Sequence, residues 1–374
     1  IQFGEMLNGK DGAQVKIYMA SLQNVRIAIF KADALRSLIF VILGATLIYL
    51  FSISKINKAL LIGGLGLLIL VDMVGVNQRY LNNDNFIKAK QFDEPFKVST
   101  ANKAIFKDKD PDFRVLDISK STFNDASCSY FHKSIGGYHG AKLQRYQDLI
   151  EEYIQPEIGA ITGVLRSGLT QEKLESTLAK QQVLNMLNMK YIIYSPEAKP
   201  LINNSAFGNV WFADNIVMVA NADEEIAALG NNNLANSAIV DKRFTSQLDG
   251  KSFTINPTSV VSLISYAPNN LVYTYSSTSE QLVVFSEIYY SKGWNAYIDG
   301  EEVPYFRTNY VLRALVVPAG EHNIEFKFEP RIWVIGERIS LTGSLILILL
   351  ILLGLGFEIK KMINKNTEPS VTDA

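Results

Sequence analysis

The sequence predicts a membrane protein in which α-helical transmembrane segments carry an extracytoplasmic α/β region and a C-terminal β-sandwich module. Three observations lead there. Uncharged apolar runs fill residues 37–53 and 339–357, and a third, 59–76, is interrupted only by Asp72. Each approaches the ~20 residues that cross a hydrocarbon core. Between 82 and 256 short apolar runs mix with helix-period stretches, and from 258 to 330 the pattern becomes alternation of period two. Charged residues make up 20% of the 374, below the ~25% of ordinary soluble domains, which agrees with the apolar runs.

Taken in order, residues 1–35 read as an amphipathic juxtamembrane segment. Tyr18, Met19, Leu22, Val25 and Ile29 continue a helical spacing begun at Val15, after an Asp11-Gly12 turn, and Lys16, Gln23 and Arg26 form the polar side. Such a helix suits the membrane surface or packing on preceding protein. Residues 36–76 read as a transmembrane hairpin, with Gly44, Gly63, Gly64 and Gly66 allowing close approach. Asp72 lies near its outer end, where water or Arg79 would neutralise it. Residues 332–358 form the last span, and 359–374 a polar cytoplasmic tail, expected to be disordered beyond Met362. Lys55, Lys58, Lys360, Lys361 and Lys365 place the hairpin connection and the tail inside, and residues 77–331 outside. Arg26, Lys31 and Arg36 oppose that orientation.

The outer part divides into an α/β region, 77–257, and a β-sandwich, 258–331. In the first, strands are predicted at 114–118, 191–194, 210–213 and 216–220, with Asp214-Asn215 turning the last two into a hairpin. Thr170 starts a helix through Met189 that buries Leu174, Leu178, Leu184 and Leu187, and 223–229 is a helix closed by Gly230. In the second, strands are expected at 271–276, 282–290 and 311–317. Asp299-Gly300 between 294–298 and 302–306 is a type I′ hairpin signal, and Ile324, Phe326 and Phe328 share one strand face.

The 36 basic and 37 acidic residues leave no excess to neutralise phosphates, so nucleic acid is excluded as a partner. The single cysteine, Cys128, excludes an internal disulfide and any cysteine-cluster metal site. Phosphate-loop, HExxH and GxSxG patterns are absent. No cofactor is implied. The densest polar stretch, 122–147, supplies the candidate binding residues Asp125, His132, Lys133, Tyr138, His139, Lys142 and Arg145. Aromatic faces there suit a sugar ring, and Arg145 with the lysines suits phosphate. A loop whose polar groups satisfy one another is the competing reading. A metal reading would need His132, His139 and Asp125 to converge at a spacing that matches no standard ligand set. Trp294, Tyr297, Tyr305 and Arg307 form a second aromatic strip, for which core packing of the tryptophan is the better account.

Three stretches carry a resemblance: TFNDASCSYFHKSIGGYHGAKLQRYQDLI at 122–150, VLNMLNMKYIIY at 183–194, and YYSKGWNAYIDGEEVPYFRTNYVLRALVVPAGEHNIEFKFEP at 289–330. In this order they resemble the C-terminal part of the YfhO family of bacterial membrane proteins. The resemblance implies a polytopic protein similar to glycosyltransferases of the GT-C architecture. It implies transfer of sugar from a polyprenyl-phosphate donor to an envelope glycan acceptor, at the outer face of the bacterial cytoplasmic membrane, with membrane lipid as surroundings. A non-catalytic glycan-binding or scaffold module is the alternative. The chain, which begins at Ile1, reads as the C-terminal piece of a longer protein. GT-C catalysis uses acidic residues of a first outer loop that this sequence lacks, so no catalytic residue is assigned.

Overall fold

Apolar residues without helix breakers dictate the first elements. In the computed structural model, which describes residues 12–89, 96–168, 170–248 and 250–367, a helix runs unbroken over Gly12–Ser52 and a second over Lys58–Tyr80. At 41 residues the first is about 60 Å long, twice a hydrocarbon core. The expected amphipathic segment is therefore continuous with the span, since nothing between 29 and 37 breaks the helix. Asp11 of the expected turn and residues 368–374 of the tail lie outside the described residues. Asn57 caps the second helix by accepting from the Leu60 amide at 2.8 Å. The two helices approach at glycine: a Cβ on Gly64 would lie 2.9 Å from Leu47. Asp72 is paired differently from expectation. Its carboxylate lies 3.6 Å from Arg36, while Arg79 bonds Asp33 at 2.6 Å, because each pair stands at one level of the antiparallel hairpin.

These helices belong to one compact unit, Ile1–Glu94, and the rest to a second, Pro95–Ala374. In the second unit β1 (Arg114–Asp117) pairs in parallel with β2 (Met189–Ile193), which β3 (Leu201–Ile202) extends. Next come β4 (Val210–Ala213), β5 (Asn215–Val219) and β6 (Ser237–Asp241). The hairpin expected at Asp214-Asn215 does not form. β5 pairs in parallel with β6 across the helix Ala222–Leu229, and β4 leaves to join a distant strand. The helix expected from Thr170 stops at Leu178 and restarts at Gln182, and Met189 already belongs to β2. Thr170 is the expected cap. The restart is a helix N-terminus held by Glu157, whose carboxylate accepts from the Val183 and Leu184 amides at 3.0 and 2.8 Å.

The remaining strands are β7 (Val260–Ala267), β8 (Asn270–Ser277), β9 (Gln281–Ile288), β10 (Trp294–Ile298), β11 (Glu301–Val303), β12 (Phe306–Thr308), β13 (Leu312–Val317) and β14 (Gly320–Phe328). They form an antiparallel five-stranded sheet, β11-β10-β14-β8-β7, and an antiparallel four-stranded sheet, β12-β13-β9-β4. The Asp299-Gly300 turn has φ of 51° and 87°, the positive pair a type I′ turn requires. The strand expected at 302–306 is split at Pro304, which cannot donate to a ladder, and the chain there changes sheets. Tyr273, Phe326, Phe285 and Leu315 fill the core between the two sheets. Alternate residues of the same strands, Leu282, Val284, Leu312 and Ala314, point the other way into the α/β core. The four-stranded sheet is thus buried on both faces. β4 lies upstream of the expected 257/258 boundary, so the two outer regions read from sequence share one sheet. A long helix, Arg331–Thr367, ends the described chain, and an apolar 31-residue portion of it, Arg331–Lys361, is the third segment able to cross a membrane.

Candidate functional site

Glycine packing shapes the polar loop. A Cβ on Gly136 would lie 2.0 Å from the Thr122 carbonyl oxygen, and Gly137, at φ 119°, donates its amide to the same oxygen at 2.8 Å. Only glycine fits there. The pinch turns Tyr138 outward beside a cleft of about 520 Å³ lined also by Phe123, Asn124, His139, Lys142 and Gln155. Tyr138 is 70% exposed. His139 Nδ1 accepts from the Ala141 amide at 3.0 Å, which leaves the ring proton on Nε2 as a donor. Lys142 Nζ donates to Gln147 at 3.1 Å and stands 5.8 Å from the Phe123 ring centre. The cleft therefore offers an aromatic face, an imidazole N–H, side-chain amides and an ammonium, and among the described residues no carboxylate lines it.

The other four sequence-predicted residues lie elsewhere. Asp125 accepts from the side chain and amide of Ser127 at the start of the helix Ser127–Phe131, and these bonds hold its carboxyl below the usual range. His132 contacts Asn102 at 2.9 Å, and burial pushes its pKa down. Lys133 is tied to buried Asp112, lies 3.9 Å from Glu287 and sits over the Tyr266 ring. Burial lowers the lysine and raises Glu287.

Arg145, expected to meet phosphate, is tied into the fold. It donates to fully buried Glu225 at 2.9 Å and to the Tyr310 carbonyl at 3.3 Å, with its guanidinium 4.4 Å from the Tyr310 ring centre. Arg307 completes the cluster, 3.0 Å from Glu225 and 3.7 Å from Asp241. A carboxylate buried inside a helix recruits the nearest guanidinium groups, and this pairing commits part of the Arg145 guanidinium to the fold. Among the described residues no group of three or more His, Cys, Asp or Glu is placed to hold a metal ion. In the second strip Trp294 packs under Arg313 at 4.2 Å and beside Phe328, and Arg307 is buried. Sequence reading missed Gln155 and Glu225. Gln155 approaches the cleft from a separate helix, and Glu225 looks like one of three acidic residues in a helix first turn.

The sequence profile of the family described as bacterial membrane protein YfhO matches residues 254–340. This stretch is similar to that family. It spans β7 through β14 and the first ten residues of the helix Arg331–Thr367, so it holds the hairpin turn and only the start of the third segment able to cross a membrane. The cleft at Tyr138 and the resembling stretches 122–150 and 183–194 lie outside the YfhO match. No curated protein and no solved structure matches the chain.

Proposed function

We propose that this chain supplies the glycan-holding outer part of an integral membrane glycosyltransferase of YfhO type, which moves sugar from a polyprenyl-phosphate donor to a cell-envelope glycopolymer. The membrane is the bacterial cytoplasmic membrane, and residues 77–331 lie outside it. The observation that carries the reading is the chemistry of the cleft. Tyr138 offers a flat face for a sugar ring, Asn124, Gln155 and His139 offer hydrogen bonds to hydroxyls, and Lys142 offers a charge to phosphate.

An acceptor hydroxyl needs a base as the polyprenyl phosphate leaves. Among the described residues no carboxylate lines the cleft, and the part proposed for it here is to hold and orient. The same lack of a carboxylate favours the second reading, a non-catalytic glycan-binding module of an envelope complex.

Reconstituted full-length protein given labelled polyprenyl-phosphate sugar and acceptor tests both readings. Acceptor-dependent transfer is expected, and Tyr138→Ala and Lys142→Ala should each weaken glycan or lipid-phosphate binding about tenfold without lowering the melting temperature. Binding without transfer at saturating donor selects the second reading. Absence of both sinks the two together.

A further inference from the structure

Away from the cleft, a run of rings stands open on the second unit. Phe96 and Tyr130 lie 4.7 Å apart, Tyr130 and Phe131 4.9 Å, and Phe131 and Phe106 6.2 Å. Phe96, Phe106 and Tyr130 are 41%, 51% and 65% exposed. The short helix Thr100–Ile105 fixes this face by burying Ala101, Asn102 and Ile105 on its other side. Lys103, Phe106 and Lys107 follow at the i, i+3, i+4 spacing that puts them together.

Charge sharpens the pattern. Lys103, Lys107 and Lys109 are exposed and form no ion pair among the described residues. The acidic residues next to them are engaged within the fold: Asp108 and Asp110 share Lys190 at 2.7 and 2.8 Å, and Asp112 pairs with Lys133, so the three lysines outweigh what acidic charge is left over. An exposed aromatic patch of this kind marks a contact surface. Rings flanked by unpaired lysines match a bilayer interface, where aromatic side chains sit at headgroup level and ammonium groups meet anionic lipid. Reach is not limiting, since 15 residues of sequence separate Tyr80, at the end of a helix able to cross a membrane, from Phe96.

We propose that the face formed by Phe96, Phe106 and Tyr130 with Lys103, Lys107 and Lys109 docks on the surface of an anionic lipid bilayer. Docking places this face against the headgroups and restrains the unit above its own membrane, independently of what the cleft binds.

The test uses the full chain in lipid nanodiscs, of phosphatidylcholine alone or with phosphatidylglycerol. An environment-sensitive fluorophore is carried on Thr100→Cys in a Cys128→Ser background, and the discs hold a shallow spin-labelled lipid as quencher. In anionic discs the label should shift to the blue and be quenched, while the same label on Asn231→Cys should not. Each lysine shifts docking about fivefold near an anionic surface. The variant Lys103→Gln/Lys107→Gln/Lys109→Gln should therefore favour the undocked state about a hundredfold and lose the quenching, as should wild type at about 1 M salt. Equal quenching in both kinds of disc, or quenching retained by the lysine variant, overturns the proposal. A label that stays in water in both discs also overturns it and leaves the patch to a protein partner.

Discussion

Replacing Arg145 by alanine separates a binding loop from a structural one. The change removes a charge-assisted bond to Glu225, a bond to the Tyr310 carbonyl and a guanidinium stacked on the Tyr310 ring. A hydrogen bond to a charged group contributes about 1.5–3 kcal/mol. Arg145 is a quarter exposed, and Glu225 keeps Arg307 at 3.0 Å and the Tyr310 amide at 3.2 Å. We therefore expect a loss of about 2 kcal/mol for Arg145→Ala. Arg307→Ala strips the buried partner from Glu225 and should cost about 3–5 kcal/mol. For a domain of this size each kcal/mol moves the melting temperature by about 2–4 °C, so Arg145→Ala should melt roughly 4–8 °C lower. Thermal unfolding of the detergent-solubilised chain, followed by near-UV circular dichroism, reads this directly. The Arg145→Ala/Glu225→Ala double variant should be less damaging than the sum of the singles, because they share one contact. An unchanged melting temperature together with lost glycan binding would refute the argument and return Arg145 to the ligand.

Further outcomes follow from other sites. Burial pushes Glu157 up to about 7 from its ordinary 4.5, despite the two amides it accepts. A raised folded pKa means the neutral acid is favoured, so its contribution is complete below about pH 4.5 and is lost as pH rises through about 7, on the order of 3 kcal/mol. Unfolding measured from pH 4.5 to 8 should show a decline that Glu157→Gln flattens, and equal slopes in both proteins would count against it. Gly136→Ala forces a methyl against the Thr122 carbonyl and should cost about 3 kcal/mol while displacing Tyr138, seen as a lower melting temperature and weaker binding. For topology, Cys128 is half-buried with its thiol pushed up to about 11 by desolvation, so it reacts slowly. A reporter at Asn231→Cys should be labelled by an impermeant reagent on intact cells, and labelling only after permeabilisation would reverse the orientation.

The local elements were readable because their causes are local. The apolar runs, the Thr170 cap, the closing Gly230 and the Asp299-Gly300 turn each depend on residues within a few positions. The runs Leu282–Phe285 and Ala314–Val317 lack polar alternation because both faces of their sheet are buried, which a reading based on one buried face assigns to a sandwich alone. The candidate cleft was legible in part. Tyr138, His139 and Lys142 are neighbours in sequence and remain neighbours in the cleft.

What sequence alone determined, then, is the membrane segments, the period-two strands and the tight turns, since hydrophobicity and backbone preference act at short range. Tertiary structure decided the pairing of β4 with β9, the parallel pairing of β5 with β6, and the partners of the charged side chains. Arg145 and Lys133 looked available, and Asp72 was assigned to Arg79 or water, because their counter-charges, Glu225, Asp112 and Arg36, lie between about 20 and 80 residues away. A buried or membrane-embedded charge must find an opposite one, and only the folded chain brings those distant partners within reach.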